Sequence, residues 1–568
     1  DPAKNLATDD WKALHSYGSI PSTHYDMNLV FIDALLRHLL WTGDLDFARR
    51  MWPVLQRHLA YEKRLFDRDG LYEAYAAIWA SDGLGYGGGG AAHATAYNLW
   101  HNRMAARIAR LIGRDPAPYE VEAKWIADAM QHDLWLPDRG WYAEYKDTLG
   151  LKRVHPDAAL WTVYHAIDSQ VPDPFQAYQA LRYIDTQIAH IPVRGPGVPA
   201  GDWFELPTSN WVPYEWSLNN VVPAELAHTA LAYWQGGRVD EAWELWRGLI
   251  LDTMFMGTSP GNLPNLSQYD AYRRETYRDF GDTTGMVARG LVEGLFGIVP
   301  DALAGELLIR PGFPREWAYA SIRTPDLNYS YRLDNSQSER FVIEPKFSRP
   351  MRLRLRSFAR GERVAAVQVN GRPAQWTNLT DAIGAPMIEV LTPQAATRYE
   401  VSIRWIGGAT AGPRPVTMAA LDRPFRMEFA PATVQELFDP QNALKSAVAR
   451  DQTLTGVVNG LPGWHTVFVR VRQDDLTWWM PVDFEVRLPL QVVPSANQDA
   501  QTVRFRVRNN TPVTIERWAT LDVGGRTTTV TLKVPALGES GEIVFPSTGL
   551  LPGTVRVPVD FAEDGTAT

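Results

Sequence analysis

The hydrophobic period of the chain changes near residue 300, and this change limits the folds available to it. Before that point, apolar residues recur at i, i+3, i+4 and i+7, which is the spacing of one face of an α-helix. After it, apolar and polar residues alternate, as they do in a half-buried β-strand. The sequence therefore predicts a helical part followed by β-sheet parts. Its length of 568 residues agrees with several domains, because single cores rarely grow beyond about 250–300 residues.

Nine helical segments are expected between Asp26 and Pro300, and the connections between them alternate in length. Within each of the first four pairs, the connection is a short turn that contains Gly or Pro, residues that interrupt helices. Up-and-down packing places the long connections together at one end, and long loops in compact domains usually carry function. We therefore predict the working site at that end. The long connections are residues 67–91, 135–157, 189–217 and 257–282.

The succession of helical hairpins predicts a ring. Hairpins without a fixed sequence repeat favour a closed (α/α)6 toroid over an open solenoid. A complete toroid of this kind has twelve helices, so nine leave the ring short at its N-terminal side. The segment before Asp26, a preceding part of the precursor or another chain would complete it.

The remainder of the chain is expected to be all β. Alternating segments bounded by Gly, Pro, Asn and Asp continue towards the C-terminus, and Asn370–Pro373 has the composition of a hairpin turn. The stretch Gly407–Pro415 has the composition of a linker. The predicted domains are an (α/α)6-barrel catalytic domain at 1–300, an antiparallel β-sandwich at 301–408, an all-β domain at 409–489 and an immunoglobulin-like β-sandwich at 490–568.

Composition excludes several classes of function. The net charge is −9 and the sequence has no run of Lys and Arg, which argues against a nucleic-acid partner. No apolar stretch is long enough to span a bilayer, so we expect no membrane insertion. The absence of cysteine excludes disulfides and thiolate catalysis. No metal-binding motif is present and no cofactor is implied. We expect a periplasmic or secreted protein, and because no signal peptide is present in the sequence, the chain is expected to be either processed or a fragment.

The long connections are rich in aromatic, amide and carboxylate side chains, which suits a sugar-binding cleft. Aromatic rings stack on the apolar faces of sugars, and amides and carboxylates bind the hydroxyls. The alternative is that the tryptophans pack between helices, which we expect for about half of the 22. Glu144 is expected to be a hydrogen-bonded loop carboxylate. The predicted substrate-binding residues are Trp79, His93, Trp203, Glu205, Asn210, Trp211, Tyr214, Trp216, Asn219, Arg278 and Asp282.

Two connections could supply the pair of carboxylates that glycosidic hydrolysis requires. One carboxylic acid protonates the leaving oxygen, and a second carboxylate activates water. The first connection contains Glu73 and Asp82, and the fourth contains Glu275 and Asp279. These connections are far apart in sequence but are predicted to open at the same end of the helices.

Several motifs resemble those of a known superfamily. The segments DGL (Asp69–Leu71), WASD (Trp79–Asp82), NWVPYEWSLNN (residues 210–220) and ETY (Glu275–Tyr277) are similar to motifs of inverting glucosidases and trehalases. The stretch Val292–Pro314 resembles the barrel-to-sandwich junction of rhamnosidases and disaccharide phosphorylases. Over residues 1–408 the chain resembles an uncharacterised bacterial family of the six-hairpin (α/α)6-barrel glycosidase superfamily.

The resemblance implies roles for four carboxylates. Asp82 takes the position of the general acid and Glu275 that of the base, with Asp279 as the reserve base. Glu73 remains an alternative acid because WASD departs from the SGWD of the family. In rhamnosidase-like members the acid precedes the first hairpins.

The implied activity is inverting, exo-acting hydrolysis of a plant or microbial polysaccharide fragment. Inversion requires the two carboxyl groups to stand about 6.5–9.5 Å apart. The alternatives are a phosphorylase or polysaccharide lyase on the same scaffold, and a non-catalytic glycan-binding or assembly protein.

Overall fold

The computed structural model of the protein describes ten ranges of the chain, which divides into two compact units. Unit one is Asp1–Thr410 with Gln473–Trp479, and unit two is Ala411–Arg472 with Met480–Thr568. The described residues are 27–74, 89–210, 219–257, 262–264, 267, 270, 280–495, 502–523, 526–546 and 559–561.

The described part of unit one begins with nine α-helices, as the apolar periodicity predicts. Side-chain caps fix two of the helix starts: the Asp44 carboxylate accepts the amide of Phe47, and Asp173 accepts the amide of Gln176. The helices are α1 Met27–Thr42, α2 Leu45–Phe66, α3 Ala92–Ile112, α4 Ala117–Ala129, α5 Leu160–Asp168, α6 Pro174–Gln187, α7 Pro223–Gln235, α8 Val239–Ile250 and α9 Gly281–Arg289. Three of them, α4, α8 and α9, continue into π-helical turns at Met130–Leu134, Leu251–Phe255 and Gly290–Leu295.

The odd-numbered helices form a contiguous layer whose middle members are buried. Helices α5 and α7 are buried along almost their whole length, as is most of α3. Contacts run from α1 to α3, from α3 to α5, from α5 to α7 and from α7 to α9. The predicted order of helices followed by sheets is confirmed, and closure into a toroid stays a prediction.

Short connections follow the C-terminal ends of α1, α3, α5 and α7, and we call this side of the helices the turn end. Gly43 and Gly113 adopt positive φ angles of 62° and 74°, which glycine tolerates without strain. The turn end contacts the β-sheet region that follows the helices, where the amide of Ala302 donates to the carbonyl of Leu40 at 2.7 Å. The four connections are residues 43–44, 113–116, 169–173 and 236–238.

The long connections meet at the N-terminal ends of α3, α5 and α7, and we call this side the loop end. Their strands form one five-stranded sheet in the order β1-β2-β3-β6-β7 and two small hairpins. Strands of two to four residues are too short for alternation to be recognised in the sequence. The strands are β1 Asp67–Arg68, β2 Leu71–Ala74, β3 Gly89–Ala91, β4 Trp135–Leu136, β5 Trp141–Tyr142, β6 Tyr145–Asp147, β7 Val154–His155, β8 Ile191–Pro192 and β9 Phe204–Glu205.

Hydrogen bonds tie the four long connections to one another and to the helix starts. The first and second share the β3–β6 pairing, and the amide of Leu160 at the start of α5 donates to Thr208 O in the third at 2.9 Å. The third and fourth meet just before α7, where Thr208 N donates to Asn220 O at 2.7 Å and Ser267 N donates to Val221 O at 3.0 Å. For the described residues, the predicted gathering of the long connections at one end is confirmed.

After the helices, unit one contains two β-sheets that pack face to face. Between the sheets, Ser357 Oγ donates to Glu339 Oε2 at 3.1 Å and Tyr399 donates its hydroxyl to Met351 O at 2.7 Å. The sheet orders are β10-β11-β15-β19-β18 and β12-β13-β14-β20-β16-β17. The strands are β10 Ile298–Asp301, β11 Glu306–Ile309, β12 Tyr319–Arg323, β13 Leu327–Asn335, β14 Ser338–Pro345, β15 Arg352–Phe358, β16 Arg363–Val369, β17 Arg372–Pro373, β18 Thr377–Asn378, β19 Met387–Leu391 and β20 Tyr399–Ile406.

The prediction of wholly antiparallel sandwiches is wrong at two strand pairs. Strands β11 and β15 are parallel, with Glu306 opposite Arg352. The chain leaves β11 for the other sheet and returns in β15, and such a crossover gives both strands the same direction. In unit two, the first and seventh strands are also parallel, with Thr417 opposite Phe484.

Unit two is all β in its described residues. Its sheets have the orders β21-β27-β26-β23, β22-β25-β24, β28-β29-β32 and β31-β30-β33. The division of 409–568 into two domains at residue 490 stays a prediction. The strands are β21 Thr417–Ala420, β22 Pro424–Glu428, β23 Thr433–Phe438, β24 Leu444–Arg450, β25 Thr453–Val458, β26 Gly463–Gln473, β27 Leu476–Arg487, β28 Leu490–Pro494, β29 Thr502–Asn509, β30 Ile515–Val523, β31 Arg526–Val534, β32 Ile543–Pro546 and β33 Val559–Phe561.

Candidate active site

Three segments that carry most of the predicted site residues lie outside the described residues, but their flanks are at the loop end. Glu73 and Ala74 pair with Gly90 and Gly89, so the flanks of 75–88 are neighbouring strands. The residues that lie outside the described ranges are Trp79, Asp82, Trp211, Tyr214, Trp216, Glu275, Arg278 and Asp279.

The flanks of 211–218 and 271–279 meet beside the start of α7. Asn220 N donates to Thr208 Oγ1 at 3.1 Å, and Val221 N donates to the Asp270 carboxylate. On the far side of 271–279, Phe280 N donates to Leu263 O at 2.9 Å. Residues 220 and 221 therefore join the third and fourth connections at a single point.

Two of the predicted residues in the first connection and in α3 are buried. Glu73 accepts a hydrogen bond from Thr148 Oγ1 at 2.8 Å and lies 3.1 Å from Arg68 Nη2. These contacts link β2 to the second connection. The ring of His93, in the first turn of α3, lies 6.2 Å from that of His165 in α5.

Predicted residues of the third and fourth connections differ widely in exposure. Asn210 is exposed and donates its side-chain amide to Gln187 O at 2.8 Å. Asn219 is half-buried. Trp203 donates to Pro199 O at 2.9 Å, and the Arg247 guanidinium lies 4.3 Å from its ring. Asp282 is in the first turn of α9, where burial raises the pKa of its carboxyl.

Two buried carboxylates, Glu144 and Glu225, lie close together at the loop end, each only 1% exposed. Glu144 accepts a hydrogen bond from Trp161 Nε1 at 2.6 Å and another from Thr162 Oγ1, so the prediction of a hydrogen-bonded loop carboxylate is confirmed. Burial raises the pKa of Glu225 to about 8; the neighbouring Tyr164 hydroxyl opposes this rise and the charge of Glu144 adds to it. Glu225 is therefore mostly protonated at neutral pH.

A second group of buried acids surrounds Ser267. Its Oγ lies 2.6 Å from Glu205 Oε2 and 2.9 Å from Asp252 Oδ2. A serine hydroxyl has one proton, so it donates to only one of these carboxyls and accepts from the other if that one is protonated. Burial, with the charges of Asp252 and Asp270, raises the pKa of Glu205 well above its usual range. The geometry thus favours a proton shared among these groups.

Sequence patterns alone did not select Glu225, Asp252 or Asp270 as candidates. Glu225 follows Pro223 in the first helical turn, where an acidic residue is a common helix start signal. Asp252 lies in the π-helical continuation of α8, where it has the appearance of a polar helix residue. The one sequence signal that could have identified buried acids such as Glu225 is an acidic residue on an otherwise apolar helix face.

The turn end contains a contrasting network around Asp168, the last residue of α5. Its carboxylate accepts hydrogen bonds from Arg289 at 2.7 and 2.8 Å, from Arg37 at 2.7 Å and from Gln235 at 2.8 Å. Burial alone would raise the pKa of Asp168, but the charges of Arg289 and Arg37 hold it well below its usual range. This carboxylate remains ionised.

Two further properties concern the whole of the described ranges. Within them, no three His, Asp or Glu side chains are placed so that they could share a metal ion. Nor is any helix there sufficiently long and apolar to cross a membrane.

No protein-family model and no curated protein matches the chain. Part of it is similar to solved structures. An α-L-rhamnosidase from Streptomyces avermitilis, complexed with L-rhamnose, has 15% identity and a TM-score of 0.43, over 67% of this chain and 33% of that one. A GH78 family rhamnosidase from Bacillus sp. GL1 has 14% identity and a TM-score of 0.38, over 57% and 32%.

A GH63 mannosylglycerate hydrolase from Thermus thermophilus has 13% identity and a TM-score of 0.33, over 45% of this chain and 75% of that one. The chain spans about one third of the length of the two rhamnosidases.

Proposed function

We propose that the protein is a glycoside hydrolase whose reaction takes place at the loop end. The observation that supports this proposal is the junction at residues 220–221, which joins the third and fourth connections beside the buried acid Glu225. The flanks of 75–88 lie at the same end of the helices, in the sheet that the first two connections share. The described flanks of these segments, which are remote in the sequence, therefore lie on one side of the helical layer.

In the proposed reaction, the Asp82 carboxyl protonates the glycosidic oxygen as the bond to the anomeric carbon breaks. Glu275 takes a proton from the water that attacks this carbon from the opposite face. The burial of Glu73 and its contacts with Arg68 and Thr148 favour a role in positioning β2, which leaves Asp82 as the acid. Asp279 is the reserve base.

The proposed sugar contacts are divided between direct ligands and positioning residues. Glu205 has no exposed surface and is held by Ser267, so we assign it to positioning the third connection. His93 is equally buried, and Trp203 packs on Arg247 of α8. The proposed direct contacts are Trp79, Asn210, Trp211, Tyr214, Trp216, Asn219, Arg278 and Asp282.

The finer features of the activity are part of the same proposal. We propose an inverting, exo-acting enzyme that cleaves a plant or microbial polysaccharide fragment outside the cytoplasm, in the periplasm or after secretion. Helices from a preceding part of the precursor or from another chain would complete the ring on the N-terminal side.

The test is a screen of the purified full chain against polysaccharides, oligosaccharides and aryl glycosides, with the anomer of the product read by NMR. The proposal predicts an inverted product. Asp82→Asn and Glu275→Gln should each lower kcat by about 100-fold or more. The matched control is Asp69→Asn, because the exposed Asp69 has a positive φ of 58° that asparagine tolerates.

Each alternative has a distinct outcome. Turnover that requires phosphate identifies a phosphorylase, and a product that absorbs in the ultraviolet identifies a lyase. Glycan binding without turnover, unchanged in both variants, identifies a non-catalytic protein. Full activity in Asp82→Asn or in Glu275→Gln would refute the assignment of that residue.

A further inference from the structure

A cavity of about 420 Å³ lies at the turn end, between the helices and the sheet of β10, β11, β15, β19 and β18. Its helical wall includes Trp100, Asp168 and the α7–α8 turn, and its sheet wall includes Leu308, Arg310 and Phe358. This volume is within the range of about 300–1,000 Å³ that is typical of small-molecule sites. The cavity is at the opposite end of the helices from the proposed active site.

The sheet wall of the cavity contains two arginines. Arg356 of β15 is paired with Glu389. Arg310 follows β11 directly and also lines the cavity.

Arg310 differs from Arg37 and Arg356, the other arginines of the cavity wall, which are paired with Asp168 and Glu389. Its Nη1 donates to Gln235 O at 3.0 Å, which uses one of the five N–H donors of a guanidinium. Burial, and to a smaller extent the charge of Arg356, lowers the pKa of Arg310 to about 10, so the group stays charged at neutral pH. No carboxylate among the described residues forms an ion pair with it.

Two of the acidic residues in the cavity wall are paired with other arginines. Asp168 is bound by Arg289 and Arg37, and Glu293 lies 3.0 Å from Arg289. Two further acids, Asp173 and Asp381, are exposed. The buried acids of the wall therefore do not compete with an anion for Arg310.

We propose that this cavity is a binding site for a small molecule that carries an oxyanion, held by Arg310. Arginine binds carboxylates and phosphates through paired N–H donors, so the oxyanion is a carboxylate or a phosphate. The ring of Trp100 and the side chain of Phe358 supply apolar surface for the body of the ligand. The proposal does not depend on hydrolysis at the loop end.

The experiment is calorimetric titration of the full chain with glucuronate, glucose and inorganic phosphate in separate arms. Glucuronate should bind at one site and raise the melting temperature, and glucose should do neither. Arg310→Gln should weaken binding by about 10- to 100-fold, because a charged hydrogen bond to a buried group is lost. The matched control is Arg332→Gln, since Arg332 is an exposed arginine of β13 and its loss should leave the affinity unchanged.

A second variant keeps Arg310 in place. Leu308 lies two residues before Arg310 on the same face, so Leu308→Glu supplies an internal carboxylate next to the guanidinium. It should reduce glucuronate affinity by a similar factor and should not lower the melting temperature by more than Arg310→Gln does. Phosphate binding without glucuronate binding, lost in both variants, would identify phosphate as the ligand.

Three results would overturn the proposal. The first is that neither anion binds to the parent protein. The second is that both variants bind as the parent does. The third is that Asp82→Asn abolishes binding while Arg310→Gln retains it, because the anion would then occupy the loop end.

Discussion

The buried carboxyl groups at the two ends of the helical layer have pKa values shifted in opposite directions. At the turn end, Asp168 is surrounded by two arginines, and its pKa is held well below the usual range. At the loop end, Glu225 lies beside another acid, Glu144. Glu205 likewise lies beside Asp252 and Asp270, and the pKa values of Glu225 and Glu205 are both raised. The buried carboxylate of the turn end is therefore paired with cations, whereas the buried carboxyls of the loop end neighbour other carboxyls.

The two arrangements differ in whether their carboxyl groups can exchange protons. An ion pair that is fully hydrogen-bonded keeps one protonation state at all ordinary pH values, so it holds helices together but cannot transfer a proton. Neighbouring carboxyls with raised pKa values hold protons above the usual carboxylate range, and pKa values displaced in this way are common among acid–base groups of active sites. This property agrees with the proposal that the reaction takes place at the loop end.

The largest expected effect is on stability at the turn end. Asp168→Asn removes the carboxylate that Arg37 and Arg289 share and leaves each buried guanidinium with one acidic partner, Asp33 or Glu293, so it should lower the free energy of unfolding by about 3–5 kcal/mol. Urea denaturation followed by tryptophan fluorescence measures this. The matched control is Asp46→Asn, which breaks an exposed ion pair with Arg49 and should cost about 1 kcal/mol or less. Equal losses of unfolding free energy in the two variants would show that the buried network contributes no more stability than an exposed ion pair.

The second-largest expected effect is at Glu225 in the loop end, where the substitution should stabilise the folded protein rather than destabilise it. The pKa of Glu225 is raised, so the folded state binds a proton that the unfolded state releases between about pH 4.3 and pH 8. The unfolding free energy of the parent should therefore fall as the pH rises, by up to about 1.4 kcal/mol per pH unit. Glu225→Gln should remove this contribution to the slope and be more stable than the parent at pH 7 by about 3.5 kcal/mol.

The measurement for Glu225 is the urea midpoint at several pH values, with the exposed Glu316→Gln as the matched control. The control should keep the slope of the parent. A Glu225→Gln variant with the same slope would mean that the acid group at the loop end is not protonated in the folded protein.

The smallest effect is expected at Ser267. Ser267→Ala removes the hydroxyl that lies between Glu205 and Asp252, and it should cost about 1–3 kcal/mol because a buried carboxyl loses its partner. The loss should increase as the pH rises and the two acids ionise together. Thermal melting measures it, with Ser348→Ala at an exposed serine as the control. A loss that does not change with pH would exclude proton sharing in this group.

The sequence was sufficient to predict the sequential order of the structure. Apolar periodicity located the nine helices, and Gly or Pro in turns such as 43–44 and 236–238 separated short connections from long ones. Because up-and-down packing converts that alternation into two unlike ends, the position of the loop end followed from topology alone. Alternation after residue 300 likewise predicted the sheets.

The features that the sequence did not predict depend on which polar residues are buried. Asp168 and Glu225 sit on helices whose every face is covered, so periodicity could not distinguish them from residues that face solvent. The parallel pairing of β11 with β15 depends on a crossover between sheets, which no local pattern records. Long-range packing decides both the burial and the pairing.

The most direct test of the contrast between the two ends is the protonation state of Glu225, read by infrared spectroscopy as the difference between the parent and Glu225→Gln. We predict a C=O stretch of a protonated carboxyl at about pH 6 that disappears with a midpoint of about 8. The corresponding difference for Asp168→Asn should show only an ionised carboxylate over the same range. A Glu225 band that disappears near the ordinary glutamate pKa of about 4.3 would contradict the account.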